Sequence, residues 1–178
     1  KDKFAPFWSR LWNASIAMSR FMVNKQLIKE GMRVTELGCG LGLAGLTAGL
    51  LGAEVIFTDY DPFPLKFSKK NWDLNLSKPA RFELMDWNEP NPEFAADVLL
   101  AADCAYGPEF EEILLNTFDT LIQPGGMILL SGPYRHWSKP FYEKLQTNPK
   151  YSFEVYPFLQ EYRDKIGKGT EALKVYKL

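Results

Sequence analysis

Histidine is almost missing from this sequence. His136 stands alone among 178 residues, and the two cysteines, Cys39 and Cys104, fall in no metal-ligand spacing. A histidine-based metal centre needs several such ligands, so no metal site is expected. Neither sign of charge is in excess: 21 basic side chains face 22 acidic ones, for a formal net charge of −1. That balance removes the broad positive field of a dedicated nucleic-acid binder, and no nucleic-acid partner is expected. Long apolar runs are lacking too. The longest, Leu41 to Ala53, is glycine-rich and too short to span a bilayer, so no membrane partner is expected. No leader peptide, repeat or low-complexity tract is legible. Two thiols expected to stay reduced suit a cytoplasmic setting or an organelle matrix. The sequence opens on Lys1 rather than methionine, as a trimmed or processed form does.

What is present is an alternation of helix and strand patterns, in a length that suits one domain over residues 1–178. Apolar residues at helical intervals run from Ser15 to Ile28, with Gly31 as a stop. Arg33–Leu37 reads as a short buried strand, Leu43–Leu51 as a helix, Glu54–Thr58 as a strand and Pro64–Leu76 as a helix. Strands follow at Arg81–Met85 and Asp97–Ala102, then a helix over Pro108–Leu121. Gln123-Pro124-Gly125-Gly126 reads as a tight turn into a strand at Met127–Ser131, followed by a helix at Pro140–Thr147. Ser152–Leu159 and Glu171–Leu178 are two strands with no helix between them. Strand–helix units closed by a strand pair predict a mostly parallel sheet with helices on both faces and an antiparallel strand near one edge. In such sheets ligands sit at the carboxyl ends of the strands.

Glu36-Leu37-Gly38-Cys39-Gly40-Leu41-Gly42 lies between the first of these strands and the next helix. Glycines there let backbone approach a ligand with no Cβ in the way. Asp59 ends the second strand, where a carboxylate can accept from both hydroxyls of a ribose. Gly40-Leu41-Gly42-Leu43-Ala44-Gly45 also fits the dinucleotide pattern G-x-G-x-x-G, which keeps a nicotinamide cofactor open. Glu36 argues the other way: a carboxylate beside the loop repels a pyrophosphate but attracts the cationic amino-acid end of S-adenosylmethionine. The shortness of the chain and the terminal strand pair point in the same direction.

The loop, Asp59, the Pro124-Gly125-Gly126 turn and the terminal strand pair together resemble the class I, seven-strand methyltransferases over essentially the whole chain. The resemblance implies a Rossmann-like three-layer α/β/α sandwich. Its mostly parallel seven-stranded sheet would have the order 3-2-1-4-5-7-6, with strand 7 antiparallel. It implies S-adenosyl-L-methionine as cofactor and S-adenosyl-L-homocysteine as product. Asp103-Cys104-Ala105-Tyr106, directly after the fourth strand, matches the D-x-x-Y motif of the protein-lysine methyltransferase group that includes enzymes acting on chaperones, elongation factors and the electron-transfer flavoprotein β subunit. The opening Phe7-Trp8-Ser9-Arg10-Leu11-Trp12-Asn13-Ala14 is similar to that group's tryptophan-bearing segment. A protein substrate, methylated on a lysine ε-amine, is the function this implies. A small-molecule N-, O- or S-methyltransferase and a catalytically silent binding module are the alternatives.

The resemblance also assigns roles. Trp12, Glu36, Gly38, Gly40 and Asp59 would hold the cofactor, and Asp86 and Trp87, after the third strand, its adenine. Asp103 and Tyr106 would handle the substrate amine. A free lysine has a pKa of about 10.4, so its neutral form costs roughly 4 kcal/mol at pH 7.4. A carboxylate alone makes proton loss harder. Asp103 therefore reads as a positioner of the ammonium rather than a strong base, with Tyr106 and loop carbonyls keeping the amine in line. Trp8 reads as packing, Asp97 as a turn residue, Lys66, Lys69 and Lys70 as a solvated helix face, and His136 as an exposed loop histidine. Specificity is expected from the loops Tyr106–Glu109, Tyr134–Pro140 and Leu159–Thr170.

Overall fold

The central strand carries the architecture. In the computed structural model, which describes residues 6–105, 107–133, 135–163 and 168–177, β4 (Ala96–Ala102) has Val98, Leu99, Leu100 and Ala101 almost wholly buried. Such a continuous apolar run belongs to a strand covered on both faces. Val98 and Leu100 point into one core with Ala14, Met18 and Trp72, while Leu99 and Ala101 point into another with Leu114, Phe118 and Phe141. The helices divide accordingly. α1 (Asn13–Lys25), α2 (Leu43–Leu50) and α3 (Pro62–Asn75) cover one face, and α4 (Glu111–Leu121) and α5 (Lys139–Thr147) cover the other.

β1 (Arg33–Leu37) lies between β4 and β2 (Glu54–Asp59), parallel to both, and β3 (Arg81–Leu84) lies parallel on the outside of β2. β5 (Ile122–Pro133) runs parallel on the other side of β4. β6 (Glu154–Arg163) and β7 (Lys168–Lys177) form an antiparallel hairpin, and β7 pairs antiparallel with β5. The described strands lie in the order β3-β2-β1-β4-β5-β7-β6. This is the expected Rossmann-like α/β architecture built on a parallel sheet. It sets the carboxyl ends of β1, β2, β4 and β5 along one rim.

Three local readings change. α1 begins at Asn13 rather than Ser15, and stops at Lys25 because Gln26 turns left-handed at φ 51°. Gln123–Gly126 does not reverse the chain. Ile122 pairs with Ala96 and Met127 with Val98, so four residues bulge opposite Asp97 and remain inside β5. The stretch from Leu159 to Thr170, expected as a rim loop, is largely paired strand: Leu159 faces Ala172 and Glu161 faces Thr170.

Burial is completed by hydrogen bonds from polar groups inside the core. Ser131 Oγ donates to the Ala14 carbonyl at 2.9 Å and Thr35 Oγ1 to the Phe94 carbonyl at 2.7 Å. The Trp72 indole, 1% exposed, donates to the Lys78 carbonyl at 2.6 Å. Asp97, expected at a turn, lies within β4 and is structural there, its carboxylate accepting from the Arg33 amide at 2.9 Å. Among the described residues no helix is long and apolar enough to cross a membrane, and no group of three or more His, Cys, Asp or Glu could hold a metal ion.

Candidate active site

Glu36 and Asp59 are the two acids among the buried described residues, 2% and 8% exposed. They occupy adjacent strands at the rim, and neither forms an ion pair among the described residues. Glu36 Oε2 accepts from the Gly45 amide at 2.9 Å, which sets the carboxylate against the first turn of α2, where the helix dipole favours it. Burial still pushes the Glu36 carboxyl up to about 8, against the lowering effect of the Gly45 and Ala44 amides. Asp59 Oδ2 accepts from the Gly40 amide at 3.1 Å and Oδ1 from the Asp61 amide at 3.2 Å. Burial raises its carboxyl as well.

The loop between these acids is held open by its glycines. Gly38, Gly40 and Gly42 all have positive φ, at 58°, 52° and 76°. The Trp87 ring lies on Gly38, with Cζ2 3.1 Å from the place a Cβ would take. Trp87 itself is half-buried, edge-on to Phe110 at 6.0 Å, and its carbonyl accepts from Thr117 Oγ1 at 3.1 Å. Glu36, Gly38, Gly40, Asp59 and Trp87 are thus brought into one cluster. Asp86 beside it is exposed and turned onto Asn88, accepting from the amide at 2.9 Å and the side-chain nitrogen at 2.8 Å; these bonds hold its carboxyl low.

Of the two tryptophans in the opening segment, Trp8 is the one at the loop. Its carbonyl lies 3.3 Å from a Cβ built on Gly40, and its ring packs on Phe67 at 5.2 Å. Trp12 caps α1, donates from Nε1 to the Phe7 carbonyl at 3.1 Å, stacks with the Phe7 ring at 6.3 Å and carries the Arg10 guanidinium 5.0 Å from its ring centre. Sequence spacing alone does not rank two tryptophans four positions apart.

Asp103 continues past β4 with a left-handed backbone, φ 56°, and its amide donates to the Ser131 carbonyl at 2.7 Å. Its carboxylate is taken in a two-pronged grip by Arg135: Nη1 to Oδ1 at 2.6 Å and Nη2 to Oδ2 at 3.1 Å. Sequence reasoning missed this arginine. A cation on the rim loop after β5 gives no sign of its partner until the sheet sets β5 beside β4; the neighbouring His136 is exposed, as expected. Tyr106 lies outside the described residues. Cys104 Sγ donates to the Leu37 carbonyl at 3.3 Å. Burial pushes both the Cys39 and Cys104 thiols well up, so neither supplies a thiolate near neutral pH.

The family model for lysine methyltransferases matches residues 7–148, a span that takes in every residue of this cluster. The chain belongs to the lysine methyltransferase family. It is similar to the protein N-lysine methyltransferase METTL21A of Danio rerio, 33% identical over 142 residues, covering 72% of this chain and 65% of that one. It is also similar to the electron transfer flavoprotein beta subunit lysine methyltransferase of Xenopus laevis, 31% identical over 153 residues, covering 83% of this chain and 61% of that one. The chain thus spans less than two thirds of the length of these relatives. Among solved structures, PH1948 from Pyrococcus horikoshii superposes with a TM-score of 0.72 at 18% identity, covering 98% of this chain and 89% of that one. Magnesium protoporphyrin IX methyltransferase from Synechocystis PCC 6803, solved with bound SAM, superposes with a TM-score of 0.67 at 16% identity, covering 91% and 77%. At these identities the structural likeness speaks for the fold.

Proposed function

We propose that this chain is a single methyltransferase domain that moves a methyl group from S-adenosylmethionine to a lysine ε-amine of a protein. The observation that carries the reading is the pair of buried acids without a cation, Glu36 and Asp59, on either side of a glycine loop. Both accept backbone amide bonds, yet burial still disfavours their charged forms. A ligand bearing an ammonium group and two ribose hydroxyls suits those forms, whereas a pyrophosphate would be repelled. When bound, the cofactor supplies a methyl group activated on a positively charged sulfur.

Around it, Glu36 takes the amino-acid ammonium and Asp59 the ribose hydroxyls, while Gly38 and Gly40 let the backbone come close. Trp87 offers a ring face for the adenine, and Asp86 is available once it turns from Asn88. Trp8 borders the loop at Gly40, and the resemblance extends the cofactor-facing role to Trp12. Asp103 orients the incoming amine, and the D-x-x-Y motif extends that role to Tyr106. The lysine acceptor is supported by family membership and by the names of the relatives. The two free, buried thiols suit a reducing compartment.

The test is incubation with methyl-tritiated S-adenosylmethionine and lysate proteins, followed by acid hydrolysis and chromatography. Label in methylated lysine is expected. Label confined to low-molecular-weight material overturns the protein substrate. Absence of S-adenosylhomocysteine binding by calorimetry, or stabilisation by NADH in its place, overturns the cofactor.

A further inference from the structure

The Arg135–Asp103 pair joins the carboxyl ends of β4 and β5 in a fork-to-fork arrangement that fixes both planes. It is shielded, with 11% of the Asp103 side chain and 25% of the Arg135 side chain exposed. The strained left-handed backbone at Asp103 turns its carboxylate toward the β5 side of the rim. A methyl group on Gly132 would stand 3.7 Å from Asp103 Oδ1 and 3.2 Å from the Tyr142 hydroxyl, so the glycine leaves both room.

A lysine arrives as an ammonium ion and must lose a proton before its nitrogen can attack. A bare carboxylate would bind that ion well and keep it charged. A carboxylate already gripped by a guanidinium has little net field, yet retains outer lone pairs that accept a hydrogen bond. Taking the lysine reading as given, we infer that Arg135 is a positioning residue that neutralises Asp103, so that the carboxylate aligns the incoming amine without retaining its proton. The ammonium gives one proton to water. The nitrogen lone pair then forms the N–C bond while the electron pair of the S–CH3 bond departs with sulfur, leaving a neutral thioether.

The other groups around the pair leave this division of roles intact. The Cys104 thiol, next to Asp103, stays protonated through burial. Tyr142 of α5 sets its hydroxyl over Gly132 near Asp103, and Glu111 of α4 and Ser138 line the adjoining recess with Ala105 and Phe141. His136 follows Arg135 and is exposed. Glu36 and Asp59 lie across the rim, where the cofactor's ammonium would meet the first and its ribose hydroxyls the second.

Two readouts test the inference, both on the full chain. The first is the pH dependence of tritium transfer into lysate protein. Arg135→Gln should move the acid limb up by about one to three pH units and regain rate toward about pH 9.5. Arg135→Lys, which keeps the charge, should hold the wild-type limb at a lower rate. His136→Asn should leave the limb in place. The second is binding of n-butylammonium at pH 7, followed by NMR. Arg135→Gln should bind it about ten-fold more tightly, and adding Asp103→Asn should abolish the gain. A rate lowered equally at every pH, with n-butylammonium affinity unchanged, makes Arg135 merely structural and overturns the inference. A wild type that labels no lysine overturns the functional reading instead, while the n-butylammonium comparison still decides whether Arg135 screens Asp103.

Discussion

The amide of Gly45 donates to Glu36 at 2.9 Å, and the same glycine leaves no space for a methyl group. A Cβ there would stand 2.6 Å from Glu36 Oε2 and 2.5 Å from Phe57 Cε1. Gly45→Ala should therefore push α2 off the sheet, destabilising the chain by about 1–3 kcal/mol as overpacked cores do. S-adenosylhomocysteine affinity should fall with it, because the carboxylate and the loop move together. Thermal melting and calorimetry check this; unchanged melting and affinity would refute the tight contact.

Glu36 also makes stability depend on pH. Burial raises its carboxyl from 4.5 to about 8 in the folded chain. Below about 4.5 the proton is bound in both states, so the group has no effect on their difference. Between 4.5 and 8 the unfolded chain has released the proton and the folded chain keeps it. Stability thus declines as pH rises through this window, by up to about 1.4 kcal/mol per pH unit from this one group, and levels off above it. Glu36→Gln should remove that component, as urea unfolding at pH 5, 6, 7 and 8 will reveal by comparison with wild type. A cationic ligand reverses the preference, so cofactor binding at pH 7 should release a proton.

Asp59→Asn keeps the size of the side chain and removes its charge. The loss of charge-assisted bonds to ribose hydroxyls, each contributing about 1.5–3 kcal/mol, should weaken S-adenosylhomocysteine by about ten-fold or more. Melting temperature without ligand should change little, since relief of the buried charge is offset by the backbone bond that the Asn nitrogen cannot accept. Calorimetry showing full affinity in this variant would remove Asp59 from the site.

Ser131→Ala provides the contrast. Its hydroxyl reaches only the Ala14 carbonyl in the core, so the variant should lose about 1 kcal/mol of stability with no change in ligand affinity. A change in affinity would mean that α1 communicates with the cofactor site.

The parallel sheet was legible because apolar strand patterns and helical patterns alternate without interruption from Arg33 to Leu121. Turn chemistry misled at Pro124-Gly125-Gly126. Gly125 does take a positive φ of 76°, but a left-handed glycine does not reverse a chain whose two flanks are both held to β4. The hairpin of β6 and β7 outgrew its expected limits for a related reason: cross-strand pairing carries it through residues whose own patterns are weak.

At the site, Glu36 and Asp59 could be read because an acid ending an apolar strand is conspicuous. Arg135 could not. An arginine in a rim loop looks solvated until the β4–β5 adjacency and the left-handed backbone of Asp103 place a carboxylate in front of it. Trp8 shows the same limit, since its contact with Gly40 runs through a backbone carbonyl, which no side-chain pattern advertises.

The bond from Ser131 to Ala14 joins positions 117 residues apart, and α1 packs on β5, β6 and β7, the last strands to be made. On a ribosome adding about 5–20 residues per second, the helix is complete roughly 5 to 21 seconds before Ser131 exists. During that interval α2 and β4 emerge as partial partners for α1, but the helix that carries Met18, Phe21 and Met22, all buried in the finished core, still lacks β5, β6 and β7. α1 therefore completes its packing late, and these side chains are a surface that a nascent-chain chaperone would meet.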